Sequence, residues 1–274
     1  MNFKIARAGL HFWEEPVISG QNGSGTIFFS GCQLHCAYCQ NYEISHKAKG
    51  LFVSSDQLVK LMLYLQQQGA HNINLVTPSH YITKLPQVLK EAKQRGLKIP
   101  IVYNTSSYES VENLQALEGL VDIYLPDLKY SDNALGQKFS RVPDYFYVAT
   151  KAIKEMRRQQ PKDCIQNELM KNGVIVRHLV LPGYVENSKR VLDFLADFDK
   201  TLLVSLMSQY FPTPKVKDYP ELNRRITQSE YDELIHYFFR IGLDNGFCQE
   251  LSSAIEDYVP DFDLNELKEI IDKL

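Results

Sequence analysis

The run of apolar and polar positions along the chain predicts buried strands alternating with amphipathic helices. Six short runs are almost continuously apolar: Thr26–Ser30, Ile73–Thr77, Ile99–Asn104, Val121–Leu125, Val174–Leu181 and Leu202–Met207. Strands of a parallel sheet covered by helices have this character, because neither face meets water. Between the runs the spacing becomes helical. Ser54 or Ser55 can cap a helix with Leu58, Leu61, Met62 and Leu65 on one face. Asn187 can cap Ser188–Phe198. Thr227 and Glu230 form a capping-box pair ahead of the stripe Tyr231, Leu234, Ile235 and Phe238. Asp263 to Glu266 opens a last helix, Leu264–Lys273.

Six strands alternating with helices make an α/β chain of βαβ units joined by right-handed crossovers. They fit a partial (β/α) barrel or an open doubly wound sheet, and periodicity does not separate the two. In both, the chemistry lies at the carboxyl ends of the strands. No repeat, low-complexity segment or Gly/Ser linker divides the 274 residues, so a single domain is expected. The longest irregular stretch, Ser208 to Ile226, holds Pro212, Pro214 and Pro220. It is either a functional loop or a plain wrapping segment.

Composition narrows the function. A net charge of −3 gives no basic field for nucleic acid or an anionic membrane, so neither is expected as a partner. Met1 to Leu10 has no apolar core of signal-peptide length, and no run is long enough to span a membrane. Five cysteines, three of them clustered, argue against a disulfide framework and for a reducing cytoplasm. Cys164 and Cys248 stand apart as plain packing or surface residues.

The clustered three, Cys32, Cys36 and Cys39, lie in Ser30-Gly-Cys-Gln-Leu-His-Cys-Ala-Tyr-Cys-Gln-Asn41, directly after the first predicted strand. Thiolates select zinc, copper(I) or iron–sulfur clusters. A closed zinc site wants a fourth ligand, which His35 or His46 could supply. A four-iron cluster normally takes four cysteines, so three leave one iron free to bind a substrate or cofactor. Unliganded, the three would be buried hydrophobes.

The C-x3-C-x2-C spacing, with Tyr38 just before the third cysteine, resembles the signature of the radical SAM superfamily. Four stretches together resemble the glycyl-radical-enzyme activases related to pyruvate formate-lyase activating enzyme. They are Cys32 to Asn41, Asp127-Leu-Lys129, Val176 to Gly183, and Met207-Ser-Gln-Tyr210. The likeness covers roughly residues 24–212. It implies a partial (β/α)6 barrel, with residues from about 213 to 274 as a C-terminal helical extension. It also implies a [4Fe-4S] cluster on Cys32, Cys36 and Cys39, with S-adenosylmethionine on the open iron. Reductive cleavage would give a 5′-deoxyadenosyl radical that abstracts hydrogen. Flavodoxin or ferredoxin is the implied electron donor, and a glycyl radical enzyme the implied target. Radical modification of a small molecule or peptide is the alternative. One departure stands out: the Gly-Gly-Glu often found after the second strand is replaced by Thr77-Pro-Ser-His80.

The resemblance also distributes roles. Tyr38 would pack near the adenine, and Thr77, Ser79 and His80 would meet the methionine amino group. Asn104, Thr105 and Ser106 follow the third strand and offer hydroxyl and amide groups to a ribose or carboxylate. Arg177, inside an apolar strand, could hold the SAM carboxylate with two parallel bonds. Met207 and Gln209 would lie near the adenine. Asp127 and Lys129, opposite charges just past an apolar strand, are either an ion pair or groups at the reacting centre. His178 alternates with Arg177 and so should face the other side of the sheet, in a structural role.

Overall fold

The computed structural model describes residues 2–251 and 260–274. Its strands are β1 (Asn2–His11), β2 (Ser24–Phe29), β3 (Leu51–Ser54), β4 (Ile73–Val76), β5 (Ile101–Thr105), β6 (Ile123–Pro126), β7 (Cys164–Gln166), β8 (Leu169–Leu179), β9 (Leu203–Met207) and β10 (Gly246–Cys248). Its helices are α1 (Pro16–Ser19), α2 (Tyr42–Ser45), α3 (Ser55–Gln67), α4 (Leu85–Gln94), α5 (Val111–Gln115), α6 (Asn133–Ser140), α7 (Tyr145–Gln159), α8 (Val185–Phe198), α9 (Gln228–Arg240) and α10 (Leu264–Asp272).

The six predicted strands are β2, β4, β5, β6, β8 and β9, parallel and adjacent in that order. Three elements extend this sheet at its edges: β10 parallel beside β9, β1 antiparallel beside β2, and β3 antiparallel on β1. The hairpin strand β7 pairs with β8. The mostly parallel sheet with its helices has the α/β character expected of a radical SAM partial barrel.

Side chains alternate across the sheet as the pleat requires. Ile27, Phe29, Leu75, Tyr103, Tyr124 and Val176 pack with α3, α4 and α7 in the main core. Val102, Ile123, Leu125 and Ile175 face the other way, onto Ile18 of α1. The segment after β1 therefore lies against the face of the sheet opposite α3 and α4, where the functional side chains are.

The predicted caps of α3, α9 and α10 are present. Ser54 and Thr227 each close a reciprocal capping box, with Gln57 and Glu230, and Asp263 accepts from the Asn265 N–H. Asn187 is different. Helix α8 begins at Val185, and Asn187 is buried in its first turn. Its Oδ1 accepts from the Ser131 N–H at 2.7 Å, and its Nδ2 donates to the Lys129 carbonyl at 3.2 Å. It pins the loop after β6 instead of capping. His178 is fully buried on the helix side, with Nδ1 2.6 Å from the Leu128 carbonyl and Nε2 2.8 Å from Ser188 Oγ. Burial pulls its pKa down to about 4, so the ring is neutral and structural.

The proline-rich stretch after β9 is an ordered wrap. Tyr210, Val216 and Leu222 are fully buried, and the Tyr210 hydroxyl donates to the Leu222 carbonyl at 2.7 Å. These side chains anchor the segment to the core. Among the described residues, no helix is long and apolar enough to cross a membrane.

Candidate active site

The cysteine loop starts where β2 stops. Gly31 takes φ +94, a left-handed turn that a side chain would strain, and its N–H donates to the Ile44 carbonyl at 2.7 Å. The loop is then stitched to the end of α6: the His35 and Ala37 N–H groups donate to the Ser140 and Phe139 carbonyls at 3.1 and 2.8 Å. Those are last-turn carbonyls that a helix leaves unpaired, so loop and helix complete each other.

Each sulfur has its own partner. Cys32 Sγ accepts from the Leu34 N–H at 3.4 Å, Cys36 Sγ is 3.0 Å from Ser140 Oγ, and Cys39 Sγ is 3.1 Å from Ser45 Oγ. Ser140 continues a hydroxyl chain to Tyr130 at 2.7 Å and on to Tyr38 at 2.8 Å. Sequence offers no periodic signal for this chain, since its members come from different loops and helices.

Burial pushes the Cys32 thiol up to about 11 and the Cys36 thiol to about 12, and raises Cys39 as well. Coordination to a metal ion offsets that burial, because a coordinating thiol is deprotonated outright. In a cluster each thiolate takes a different iron. The His35 and His46 rings pack edge-on at 5.2 Å, and His46 Nδ1 bonds Ser45 Oγ at 2.9 Å. The donor set fits a three-thiolate cluster.

The loop opens onto a cavity of about 230 Å³. Its walls carry the three cysteines with Tyr38, Thr77, Asn104, Thr105, Ser106, Asp127, Lys129, Arg177, Met207 and Gln209. These residues come from the carboxyl ends of β4, β5, β6, β8 and β9 and from the cysteine loop. Thr77 and Ser107, just past β4 and β5, are non-glycine residues at φ +55 and +65. Backbone strain of this kind persists where surrounding structure enforces it, often at functional sites.

Ser79 and His80 are not on the cavity wall, in contrast to the expected contact with an amino group. Ser79 is buried 3.4 Å from the Thr105 hydroxyl, and His80 Nε2 bonds the Ser30 carbonyl at 2.8 Å beneath the cysteine loop. Of that trio only Thr77 reaches the cavity.

Arg177 is already occupied. Its Nε donates to Asp127 Oδ1 at 2.9 Å, Nη1 to Glu14 Oε2 at 3.1 Å and Nη2 to Asn104 Oδ1 at 2.6 Å. Three of the five guanidinium N–H donors are thus engaged by the protein itself. Asp127 also takes Lys129 Nζ on its other oxygen at 2.6 Å, so the ion pair foreseen as one possibility exists. Burial works to raise the Asp127 carboxyl, but Lys129 and Arg177 outweigh it and hold it below the usual carboxylate range.

Glu14 is the member that sequence reasoning missed. Its side chain is 9% exposed, and burial raises its pKa against the pull of Arg177. Asn74 donates to it at 3.0 Å. Glu14 and Glu15 between Trp13 and Pro16 form an acidic pair in an otherwise apolar run, which was the available signal. Glu109 was also missed: it is buried and accepts from Thr105 Oγ1 at 2.7 Å and the Tyr103 hydroxyl at 2.9 Å, fixing a cavity-wall side chain.

Comparison with known proteins agrees with this geometry. The pattern of the radical SAM superfamily matches residues 26–195, more than half of the chain. An uncharacterised protein of Methanocaldococcus jannaschii is 29% identical over 245 residues, covering 86% of this chain and 67% of that one. A pyruvate formate-lyase-activating enzyme of Clostridium pasteurianum is 23% identical over 223 residues, covering 76% and 83%. The crystal structure of Streptococcus suis SuiB bound to its precursor peptide superposes with a TM-score of 0.57 over 86% of this chain, at 13% identity. The chain spans about half the length of that protein, and the likeness is one of fold. Members of the matched family use a [4Fe-4S] cluster and S-adenosylmethionine. With its three cysteines at the carboxyl end of the first parallel strand and the family pattern running through most of the sheet, the chain belongs to the radical SAM superfamily.

Proposed function

We propose that this chain cleaves S-adenosylmethionine reductively and directs the resulting 5′-deoxyadenosyl radical at a backbone glycine of a partner glycyl radical enzyme. The observation that carries the chemistry is the three-thiol loop opening on a cavity of hydroxyl, amide and charged groups. Cys32, Cys36 and Cys39 would hold the cluster with one iron free of protein ligands. When bound, the cluster supplies the electron for the cleavage. The glycine target draws on the relatives named as pyruvate formate-lyase- and glycyl-radical-enzyme-activating enzymes, which are 23–27% identical to this chain.

The chain's own residues bind and orient. Thr77, Asn104, Thr105 and Ser106 offer hydroxyl and amide groups to the methionine and ribose of the ligand, with Thr105 aimed by Glu109. Tyr38, Met207 and Gln209 flank the adenine. Arg177 and Lys129 provide the positive charge for the methionine carboxylate, and Asp127 and Lys129 sit at the reacting end. Asp127 links the two cations and keeps them from drifting toward solvent. Gln40 Nε2 donates to the Gln209 carbonyl at 3.0 Å, tying the cysteine loop to the segment just after β9.

The test is electron paramagnetic resonance of a glycyl radical enzyme mixed anaerobically with reduced protein and S-adenosylmethionine. The expected result is a glycine-centred doublet that needs all components. Absence of the doublet with every glycyl radical enzyme of the same cell, while S-adenosylmethionine is still cleaved, would remove the glycine target and leave a small molecule or peptide in its place.

A further inference from the structure

We propose that a cationic cavity on the outer side of the cysteine loop is the docking surface for an acidic one-electron carrier protein. The proposal rests on reading the three cysteines as cluster ligands. The cavity, of about 260 Å³, shares Cys36 with the active-site cavity and is walled by His35, Tyr42, His46, Arg141, Lys215 and Asp218, among others. It thus borders the residue of one ligand sulfur and shares none of the side chains assigned to S-adenosylmethionine.

The charge arrangement is specific. Arg141 and Lys215 are exposed, and neither has an ion-pair partner among the described residues. Other nearby cations are neutralised: Lys47 pairs with Glu43 at 2.8 Å and Lys138 with Glu221 at 2.6 Å. Arg141 is held in the left-handed conformation at the end of α6, with φ +59. It directly follows Ser140, whose hydroxyl is 3.0 Å from Cys36 Sγ. Lys215 Nζ sits 4.5 Å over the Tyr42 ring, which itself stacks on His46 at 4.6 Å. Two separate elements therefore bring unneutralised positive charge to the same side of the cluster loop. Asp218 is the acid among the walls, and it leaves the balance positive.

A negatively charged surface is the complement of this patch, and charge steering matters most for small, short-lived encounters such as those of electron carriers. The exposed aromatic and cationic edges give such a partner a place to seat beside Cys36. One electron leaves the carrier, which is oxidised by one equivalent, and enters the cluster, which is reduced by one. No proton or group is transferred.

The experiment measures binding of a purified acidic flavodoxin to the reconstituted protein by titration at low and high salt. Wild type should bind, and more weakly as salt rises. Lys215→Glu should weaken binding at least tenfold, Arg141→Glu likewise, and Lys154→Glu on α7 should not. Cluster absorbance and dithionite-driven cleavage of S-adenosylmethionine should stay at the wild-type level in Lys215→Glu. Binding that is unchanged in both charge reversals, insensitive to salt, or equally weakened by Lys154→Glu overturns the proposal. Loss of cluster in Lys215→Glu also overturns it, since the residue would then be structural. A wild type with no cluster, or none that dithionite can turn to cleavage, would instead strike the reading of the cysteines, and the docking surface with it.

Discussion

Cys36→Ala protein, reconstituted anaerobically, is expected to retain almost no iron or sulfide, against about four of each per wild-type chain. Cys36 holds this position because its sulfur sits 3.0 Å from Ser140 Oγ and its loop neighbours are bonded to the carbonyls of Phe139 and Ser140. These bonds present the sulfur at the wall of the cavity. Cys32→Ala and Cys39→Ala should behave alike. Cys164→Ala and Cys248→Ala should keep a full cluster, since β7 and β10 carry those residues outside the cavity. Iron and sulfide analysis checks this. Full iron content in Cys36→Ala would mean that another group completes the site.

The second large effect concerns Arg177. Arg177→Met removes the shared partner of two largely buried carboxylates, Asp127 and Glu14, and of the Asn104 amide. Breaking one side of a buried ion network typically costs about 3–5 kcal/mol; here Asp127 keeps Lys129, so Glu14 is the carboxylate stripped of its cation. The expected outcome is a large fall in the urea midpoint. Adding Glu14→Gln should recover part of the loss, because the stranded carboxylate is then gone. A residue that only held the ligand would instead lower ligand affinity and leave stability unchanged. Equal midpoints for wild type and Arg177→Met would show that the carboxylates do not depend on it.

Deleting part of the stretch after β9 to test the Lys215 surface, such as Phe211 to Val216, would extract Val216, which is fully buried. Single charge reversals at exposed positions are the cleaner probe.

The sheet was legible because parallel strands buried on both faces leave unbroken apolar runs, and all six such runs became β2, β4, β5, β6, β8 and β9. β1 was not, because an antiparallel strand covered mainly on one face leaves polar positions among the apolar ones. Phe3, Ile5 and Ala8 are buried, while Asn2 is exposed and Lys4 and Arg7 lie between the two. Its polar positions break the unbroken apolar run by which the other strands are read. The cysteine loop was legible from spacing alone, since its ligands are local in sequence. The charge network was only half legible. Asp127, Lys129 and Arg177 stood out as charges in apolar strands, but their partner Glu14 is 163 positions from Arg177. Only the packing of α1 against the sheet brings it there. His80 and Ser79 misled for a related reason: position at a strand end does not say whether the next turn points into the cavity or beneath the loop.

The most direct measurement is product analysis after a single reduction. Cluster-loaded protein is reduced anaerobically with dithionite, given S-adenosylmethionine, and assayed for 5′-deoxyadenosine and methionine. The account predicts both products in equal amounts, formed by wild type and absent from Cys36→Ala. A fully cluster-loaded, reduced wild type that forms neither, or a protein that folds with stoichiometric zinc in place of iron, would contradict it.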